Sequence, residues 1–304
     1  MAAQPHSPNP DSWPELPLAA WQDTYATLHM WTQIVGKVRL ALSPRVNHWW
    51  EVPLYVNSRG LTTSAIPYGH DNFEIQFDFI DHQLQIRGSW GSSKTLPLKP
   101  QSVADFYAVF ISTLRSLGIE VKIWTMPVEI PNPIRFESDT QHHSYDPEYA
   151  HRFWEILILC DAIFKQFRAD FIGKNSPVHF FWGSFDLAVT RFSGRRAPER
   201  PGVDLITREA YSHEVISAGF WPGGGEIKGA AFYAYAAPEP PGFAAQKIKP
   251  AKAFYHPQLK EFLLMYDDVR RSPLPRRALL SFLQSTYEAG ANLAHWERKE
   301  LERA

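Results

Sequence analysis

The segment spanning residues 178–195 constrains the fold more than any other part of this sequence. It reads VHFFWGSFDLAVTRFSGR, so two runs rich in strand-forming residues flank the dipeptide Gly183-Ser184. Aromatic and β-branched residues favour strands, and a Gly-Ser pair between two such runs suits a two-residue type II′ turn. The segment therefore predicts a β-hairpin that turns at Gly183-Ser184.

The same hairpin carries polar side chains that a purely apolar core does not require. These are His179, Asp186, Arg191 and Arg195, and they stand among Phe180, Phe181, Trp182, Phe185 and Phe192. A ligand site typically combines apolar walls with a few polar groups that orient the ligand. We therefore expect a small-molecule ligand here, with Trp182 and Phe185 forming part of the wall.

Length and composition are those of an ordinary globular protein. The chain has 304 residues, of which 44% are hydrophobic and 21% charged, and a formal net charge of −1. We therefore expect no nucleic-acid partner and no membrane partner, because concentrated basic charge and an apolar run of ~20 residues are both lacking. The N-terminus lacks a signal-peptide pattern, which predicts a cytoplasmic protein. The single Cys160 excludes an internal disulfide and a cysteine-based zinc cluster, and its apolar neighbours predict burial.

Hydrophobic periodicity divides the chain into two halves of similar order, 18–126 and 146–304. Before them we expect a flexible N-terminal arm over 1–17, and between them a proline-rich linker over 127–145. Each half predicts a long helix, several antiparallel strands and a further helix. The predicted fold class is therefore α+β in one compact unit, with long helices packed on the sheet and a C-terminal helix.

Individual elements follow from periodicity and from cap and turn residues. The first half predicts a helix over 21–42, strands over 48–56, 61–66, 73–80 and 83–87, a helix capped by Ser102 and Asp105 that stops at Gly118, and a strand over 121–125. The second half predicts a helix over 148–171 started by Asp146-Pro147, strands over 178–182, 185–192, 213–221 and 230–235, a helix from Pro257 through Tyr266, and a last helix over 276–302.

Three short echoes between the halves suggest an internal duplication. HMW at 29–31 matches RFW at 152–154, NHWW at 47–50 matches VHFFW at 178–182, and ADFYAVF at 104–110 matches KEFLLMY at 260–266. The alternative is that any α+β chain produces such echoes, because helices and strands use few patterns. If the halves are pseudo-repeats, the cleft between them is the natural place for a ligand.

Four long strings carry a family resemblance: LHMWTQIVGKVRLAL (28–42), NHWWEVPLYVNSRGLTTSAIPY (47–68), SPVHFFWGSFDLAVTRFSGRRAP (176–198) and SAGFWPGGG (217–225). They resemble bacterial proteins of similar length that are grouped as Domain of Unknown Function family 5996, over nearly the whole chain. The resemblance implies a free-standing bacterial protein of one architecture. It implies no activity, cofactor or catalytic residue.

Arg191 and Arg195 are the candidate anion-binding residues. They bracket a turn at Gly194, and guanidinium groups beside exposed backbone N–H groups bind carboxylates or phosphates bidentately. In the first half, Arg59 followed by Gly60 is a weaker parallel. The alternative is that each arginine pairs with a carboxylate at a strand end or faces water.

His179, His213, Asp186 and Glu214 are the candidates for metal binding or acid–base chemistry. Such groups on neighbouring strands can form an open iron or zinc site, although no HExxH-type spacing supports a divalent metal. His213 and Glu214 are adjacent on a strand and should point to opposite faces. A metal-free general base at His179 or His213 is the second interpretation, and a structural histidine is the third. Because both histidines begin strands of one half, we expect them to lie close together.

A polar stripe interrupts the otherwise apolar first helix. His29, Gln33 and Lys37 recur at four-residue steps, so they lie on one side of the helix. The stripe is either the solvent edge of the helix or the helical wall of a pocket.

These candidates favour an enzyme that acts on a small, anionic, partly apolar metabolite. His179 or His213 would transfer a proton or bind a metal, and Arg191 with Arg195 would hold the anion. The first alternative is a non-catalytic small-molecule-binding protein, in which no histidine and acidic group need converge. The second is a scaffold for a protein partner, which would present its tryptophans on an exposed patch.

Overall fold

The computed structural model describes residues 13–303 and has the α+β architecture predicted from the sequence. Within this range the α-helices are α1 (Leu18–Leu42), α2 (Val103–Ser116), α3 (Pro147–Ala169), α4 (Leu205–Ala210), α5 (Tyr266–Arg270), α6 (Pro275–Leu293) and α7 (Arg298–Leu301). The strands form two antiparallel sheets of six strands, one in each half of the chain.

The first sheet lies between α1 and α2 in the chain. Its strands are β1 (Tyr55–Val56), β2 (Gly60–Thr62), β3 (Ile66–Tyr68), β4 (Asp71–Asp78), β5 (Gln83–Gly88) and β6 (Ser93–Pro97). They follow the order β1-β2-β4-β5-β6, and β3 also pairs with β4. The predicted hairpin of β4 and β5 is present, and Phe73, Ile75 and Phe77 alternate into the core as the strand period requires.

The second sheet is a longer meander. Its strands are β7 (His179–Phe181), β8 (Asp186–Arg196), β9 (His213–Trp221), β10 (Ala231–Ala237), β11 (Phe254–His256) and β12 (Glu261–Met265). They follow the order β11-β12-β10-β9-β8-β7, so β7 is an edge strand. The two sheets meet at this edge, where the backbone groups of Leu54 and Phe180 exchange two hydrogen bonds of 2.9 Å.

Helices cover one face of the second sheet. Phe180 contacts Phe153 of α3, Ile216 lies against Gly290 of α6, and Phe232 contacts Tyr266 of α5. These contacts bury Phe180, Ile216 and Phe232 between the sheet and the helices, where each large side chain contributes roughly 1.5–3 kcal/mol of hydrophobic stabilisation.

The opposite face of the second sheet has a different character. Gly219 on β9 is the Cα partner of Ala188 on β8 and of Tyr233 on β10, and His179 on β7 is the partner of Ala188. Paired residues share a face, and alternate residues return to it. We call this side the tyrosine face, and define it by His179, Asp186, Ala188, Thr190, Ser217, Gly219, Tyr233, Tyr235 and Glu261.

Two predicted helix starts are confirmed. The Ser102 hydroxyl accepts a hydrogen bond from the Asp105 backbone N–H, which is the capping box expected from the sequence. Asp146 caps α3 through the N–H groups of Glu148 and Tyr149, and Pro147 occupies the first turn. Cys160 is fully buried within α3, as predicted.

Several predicted elements are wrong. Residues 48–56 contain a 3₁₀ turn (Asn47–Trp49) followed by only two strand residues, and 121–125 is not a strand. The segment predicted to form a helix from Pro257 is the hairpin of β11 and β12, because β12 pairs with β10 on one side and β11 on the other. The last predicted helix is two helices, α6 and α7, with the left-handed residue His295 between them.

The hairpin predicted at Gly183-Ser184 is present, but its turn is not the predicted type II′ turn. The loop contains four residues, 182–185, and the backbone N–H of Phe185 donates to the Phe181 carbonyl at 2.8 Å. The left-handed residue is Phe185, with φ of 58°, and not the glycine that a type II′ turn requires. Gly183 does not have a left-handed φ, but a Cβ atom at this position would overlap the carboxylate of Glu129.

Of the three pairs of similar strings, only one pair has the same secondary structure in both halves. The matched strings at 29–31 and 152–154 both lie in long helices, but 47–50 is a 3₁₀ turn where 178–182 is mainly strand. The string at 104–110 lies in α2, whereas 260–266 is mainly strand β12. Internal duplication therefore stays a prediction.

The predicted N-terminal arm, 1–17, lies partly outside the described residues. Of its described part, 13–17, both Trp13 and Leu16 are buried. Trp13 contacts Phe232 and Tyr266, and the Tyr266 hydroxyl donates to the Pro14 carbonyl at 2.6 Å. This stretch is therefore docked on the second half.

Candidate functional site

Arg191 points away from the tyrosine face and into the helical layer. Its side chain is 1% exposed, donates to the Phe167 carbonyl, and lies over the rings of Phe167 and Tyr287 at 3.5 and 4.3 Å. Burial lowers the pKa of the guanidinium to about 10. The structure thus places Arg191 in a packing role that joins β8 to α3 and α6.

The other two candidate arginines also have protein partners. Arg195 forms an ion pair with Glu214 at 2.8 Å and donates to the carbonyls of Ala294 and His295, which directly follow α6. Arg59 pairs with Asp78 and Asp81. This is the alternative that the sequence left open, in which each arginine meets a carboxylate. Arg191 and Arg195 do not converge on one ligand position.

Trp182 and Phe185, the expected pocket wall, belong to the core. The Trp182 indole N–H donates to the Val52 carbonyl at 2.7 Å, and the ring lies on α1 at Gly36, where a Cβ atom would overlap it. Phe185 is fully buried against Tyr25, with ring centroids 4.9 Å apart, and against Phe153 at 5.1 Å. Both side chains join the second sheet to the long helices.

The polar stripe of α1 is not the solvent edge of the helix, because all three side chains are buried. Gln33 exchanges two 2.9 Å hydrogen bonds with the backbone of Val128. Lys37 donates to the Met126 carbonyl at 2.8 Å, and desolvation lowers its pKa to about 8. His29 bonds to the Gly183 carbonyl at 2.8 Å. The stripe therefore attaches the linker and the β7–β8 loop to α1.

His179 lies on the tyrosine face and is 1% exposed. The rings of Trp50, Tyr55 and Phe181 surround it, with centroids 5.6, 5.7 and 5.3 Å away. Neither ring nitrogen has a protein hydrogen-bond partner. Desolvation, and then the charges of Arg39 and Arg168, lower its pKa to about 3. His179 is therefore a neutral imidazole throughout the physiological pH range.

His179 and His213 are not brought together. Their Cα partners on β8 are Ala188 and Arg196, which lie eight residues apart, from 188 to 196. On the neighbouring strand β9, His213 lies six residues from Gly219, the partner of Ala188, which is roughly 20 Å at ~3.3 Å per residue. One ion with bonds of ~2 Å cannot reach both rings. More generally, residues 13–303 contain no group of three or more His, Cys, Asp or Glu side chains placed to hold a metal ion.

Asp186 is the candidate that the structure places in a polar site. Its side chain is 7% exposed, and its two oxygens accept hydrogen bonds from the hydroxyls of Ser184 and Tyr233. Burial raises the pKa of the carboxyl, and the two hydroxyls partly oppose that change. The groups that act on Asp186 within the described chain include no lysine or arginine. An unpaired buried carboxylate is costly, so such a group binds a proton readily.

Small residues make room for the tyrosine that binds Asp186. A Cβ atom at Gly219 would overlap the Tyr233 hydroxyl and the end of its ring, and would also meet the Leu187 carbonyl. Ala188 lies beside Gly219 on the neighbouring strand. The ring of Tyr233 therefore lies along the sheet surface over this row, and its hydroxyl reaches Asp186.

A second carboxyl group lies near Asp186. Glu261, on β12, is partly buried, and desolvation followed by the charge of Asp186 raises its pKa to about 7. Burial and Asp186 also raise the pKa of the Tyr25 hydroxyl to about 12. A carboxyl group whose proton affinity is raised by burial and by a neighbouring carboxyl is typical of acid–base centres.

Hydroxyl groups continue the polar surface beyond this acidic centre. The hydroxyls of Thr190 and Ser217 lie 2.9 Å apart, and those of Tyr211 and Tyr235 also lie 2.9 Å apart. The rings of Tyr233 and Tyr235 are nearly parallel, with an interplanar angle of 16°. Both tyrosines are half-buried, so part of each side chain is accessible from solvent.

Sequence reasoning identified Asp186 but missed Tyr233 and Glu261. The string FYAYAA at 232–237 and the small residues at 217–219 carry the signal, because tyrosines that alternate with alanine beside small partners require a face with space above it. Glu261 was missed because its segment was predicted to be helical. Two surface depressions, of about 960 Å³ along α2 and about 560 Å³ between α3 and α6, lie away from the tyrosine face.

The architecture is that of an α+β protein with two meander sheets joined edge to edge. Residues 13–303 match the model of a family of unknown function (DUF5996), so the chain belongs to this family, as its resemblance predicted. No curated protein and no solved structure matches the chain. None of the described helices is both long enough and apolar enough to cross a membrane.

Proposed function

We propose that the protein is an enzyme that binds a small, partly apolar molecule on the tyrosine face and transfers a proton through Asp186 and Glu261. The alternative is that the same face binds a small molecule without converting it. The observation that carries the proposal is the Asp186 carboxyl, which is buried among hydroxyl groups without a cation.

A purely structural carboxylate would be expected to have a cationic partner in this position. Removing an ion from water costs several kcal/mol in proteins unless a counter-charge or several hydrogen bonds compensate. The arginines of this chain show that counter-charges are available, since Arg59 and Arg195 each pair with a carboxylate. Asp186 instead receives hydrogen bonds from two hydroxyl groups, which stabilise the ionised form and only partly oppose the rise in pKa that burial causes.

Glu261 supplies the second feature of an acid–base centre. A general acid or base is most effective when its pKa lies near the working pH, and the pKa of Glu261 is raised to about 7. His179 does not meet this condition, because its pKa is lowered to about 3. His179 is better suited to exchange a hydrogen bond with a ligand as a neutral group.

The surroundings of Asp186 indicate what the ligand is like. Tyrosine rings offer apolar area and hydroxyl groups, while the two acidic groups disfavour a negative charge close to them. We therefore assign to this centre the neutral or cationic polar part of the ligand, and not the anionic part expected from Arg191 and Arg195.

The test is a thermal-shift screen of pure metabolites at pH 7 followed by NMR detection of turnover. Wild-type protein is compared with Asp186→Asn and Tyr233→Phe. The control is Asp268→Asn in α5, a helix that packs on the opposite face of the second sheet. The proposal expects a compound that raises the melting temperature of the wild type and of the control, but much less that of the two face variants.

Conversion of that compound by the wild type, lost in Asp186→Asn, supports an enzyme. Binding without conversion supports the alternative, a binding protein. Stabilisation that is equal in all four proteins would place the ligand elsewhere and overturn the proposal. Circular dichroism of each variant establishes that the comparison is made between folded proteins.

A further inference from the structure

We propose that Lys174, His48 and His213 form a binding site for an oxyanion, the carboxylate or phosphate group of a ligand. The Lys174 Nζ lies 2.7 Å from His48 Nε2, and the rings of His48 and His213 are 5.6 Å apart. These groups come from three separated parts of the chain. This site is independent of the proposed proton transfer at Asp186.

The hydrogen bonds define how the cluster is charged. His48 Nδ1 lies 3.1 Å from the Glu209 carbonyl, to which it can only donate. Nε2 of the neutral ring therefore accepts from the Lys174 ammonium group. Desolvation, and then the charge of Lys174, lower the pKa of both His48 and His213. The cluster thus contains the Lys174 cation beside the imidazoles of His48 and His213. The positive charge of Lys174 disfavours protonation of both rings.

No carboxylate neutralises the cluster from the neighbouring elements. The Glu209 carboxylate, on α4, is paired with Arg45 at 2.7 Å, and only its backbone carbonyl faces His48. Glu214, the neighbour of His213, is paired with Arg195 on the other side of the strand. Arg196 adds a further positive charge that lowers the pKa of His213. An oxyanion would supply the missing counter-charge and accept hydrogen bonds from the Lys174 ammonium group and from the ring of His213.

The backbone at His48 is held in an unfavourable conformation that directs the ring to the cluster. His48 and Trp49 are consecutive non-glycine residues in the left-handed region, with φ of 60° and 61°. Each such residue costs on the order of 1–3 kcal/mol and persists where surrounding structure requires it, often at binding sites. The rings of Trp50 and Phe192, 5.4 and 4.9 Å from the Lys174 Nζ, form an apolar floor beneath the ammonium group.

The cluster is accessible and distinct from the acidic centre. Lys174 is exposed and His213 is half-buried, so solvent reaches both. The Lys174 carbonyl accepts from the Phe192 N–H at 3.0 Å, which places Lys174 six residues along β8 from Asp186. That separation is roughly 20 Å at ~3.3 Å per residue. A single small ion at the cluster therefore does not contact Asp186.

The experiment titrates the full-length protein with inorganic phosphate, and separately with acetate, in a low-salt buffer at pH 7. Imidazole signals of the histidines are followed by NMR. We expect saturable shifts of the His48 and His213 signals, and a tighter response to one probe identifies the oxyanion as phosphate or carboxylate. Lys174→Met should weaken binding at least about tenfold, as loss of a charge-assisted hydrogen bond predicts.

One charge-conserving variant and two control variants show whether the binding depends on Lys174. Lys174→Arg retains the charge and should bind within a few-fold of wild type, and Lys122→Met, at an exposed lysine near α2, should leave binding unchanged. Asp186→Asn should also leave it unchanged, which separates this site from the proposed proton transfer. Shifts that do not saturate, or equal affinity in wild type and a folded Lys174→Met protein, would mean an adventitious ion only and would overturn the proposal.

Discussion

Replacement of Glu261 by glutamine should change how the stability of the protein depends on pH. The pKa of Glu261 is raised from 4.5 to about 7 in the folded protein, so the folded state binds a proton more tightly than the unfolded state. Its contribution to stability is therefore complete below pH 4.5 and is lost as the pH rises through about 7. The shift corresponds to at most about 3 kcal/mol. Because the side chain is partly accessible, we expect roughly 1–2 kcal/mol after solvent screening.

The expected result is a difference that appears only at high pH. Relative to wild type, Glu261→Gln should unfold with a similar free energy at pH 4.5 and with about 1–2 kcal/mol more at pH 8. Urea denaturation followed by circular dichroism at both pH values measures this. Glu226→Gln, in the exposed β9–β10 loop, is the matched control and should show no such change. A Glu261→Gln protein that gains nothing between the two pH values would refute the reasoning.

Three further predictions concern residues that the structure places in packing roles. Arg191→Ala should lower the free energy of unfolding by about 2–4 kcal/mol through lost packing and a lost buried hydrogen bond, and a urea-melt loss below ~1 kcal/mol would contradict its burial. Phe180→Ala should lower the free energy of unfolding by about 3–5 kcal/mol, and Phe181→Ala by clearly less, because only Phe180 is fully buried. Equal losses in denaturant titrations would contradict the different burial of the two faces of β7. Gly36→Ala should cost about 1–3 kcal/mol by displacing Trp182, and an unchanged melting curve with unchanged tryptophan fluorescence would show that the two are not in contact.

Local signals predicted the long helices and most strands of this fold. The long apolar periods of α1 and α3, and the caps at Ser102 and Asp146, act within a few residues of the chain and are visible in the sequence. β12 was misassigned because Phe262, Leu263 and Leu264 are all buried. A strand that is covered on both faces loses its alternation and resembles a helix in sequence. Its true state depends on pairing with β10, which is a long-range contact.

The site was only partly predictable for a similar reason. Alternation along β8 separates Asp186 from Arg191, since residues an odd number apart point to opposite faces. That parity alone argues against one pocket containing both side chains. The sequence does not show which face the helices cover, nor that Tyr233 crosses Gly219 to reach Asp186. The cluster of Lys174, His48 and His213 joins distant segments, so no local pattern predicts it.

The location of bound small molecules tests the central claim most directly. Crystals of the protein, soaked at pH 7 with a library of small polar and aromatic fragments, would show where each fragment binds. We expect fragments that lie against Tyr233 and Tyr235 and form hydrogen bonds with Glu261 or Asp186. Fragments found only in the depressions along α2 and between α3 and α6, with none on the tyrosine face, would contradict the account.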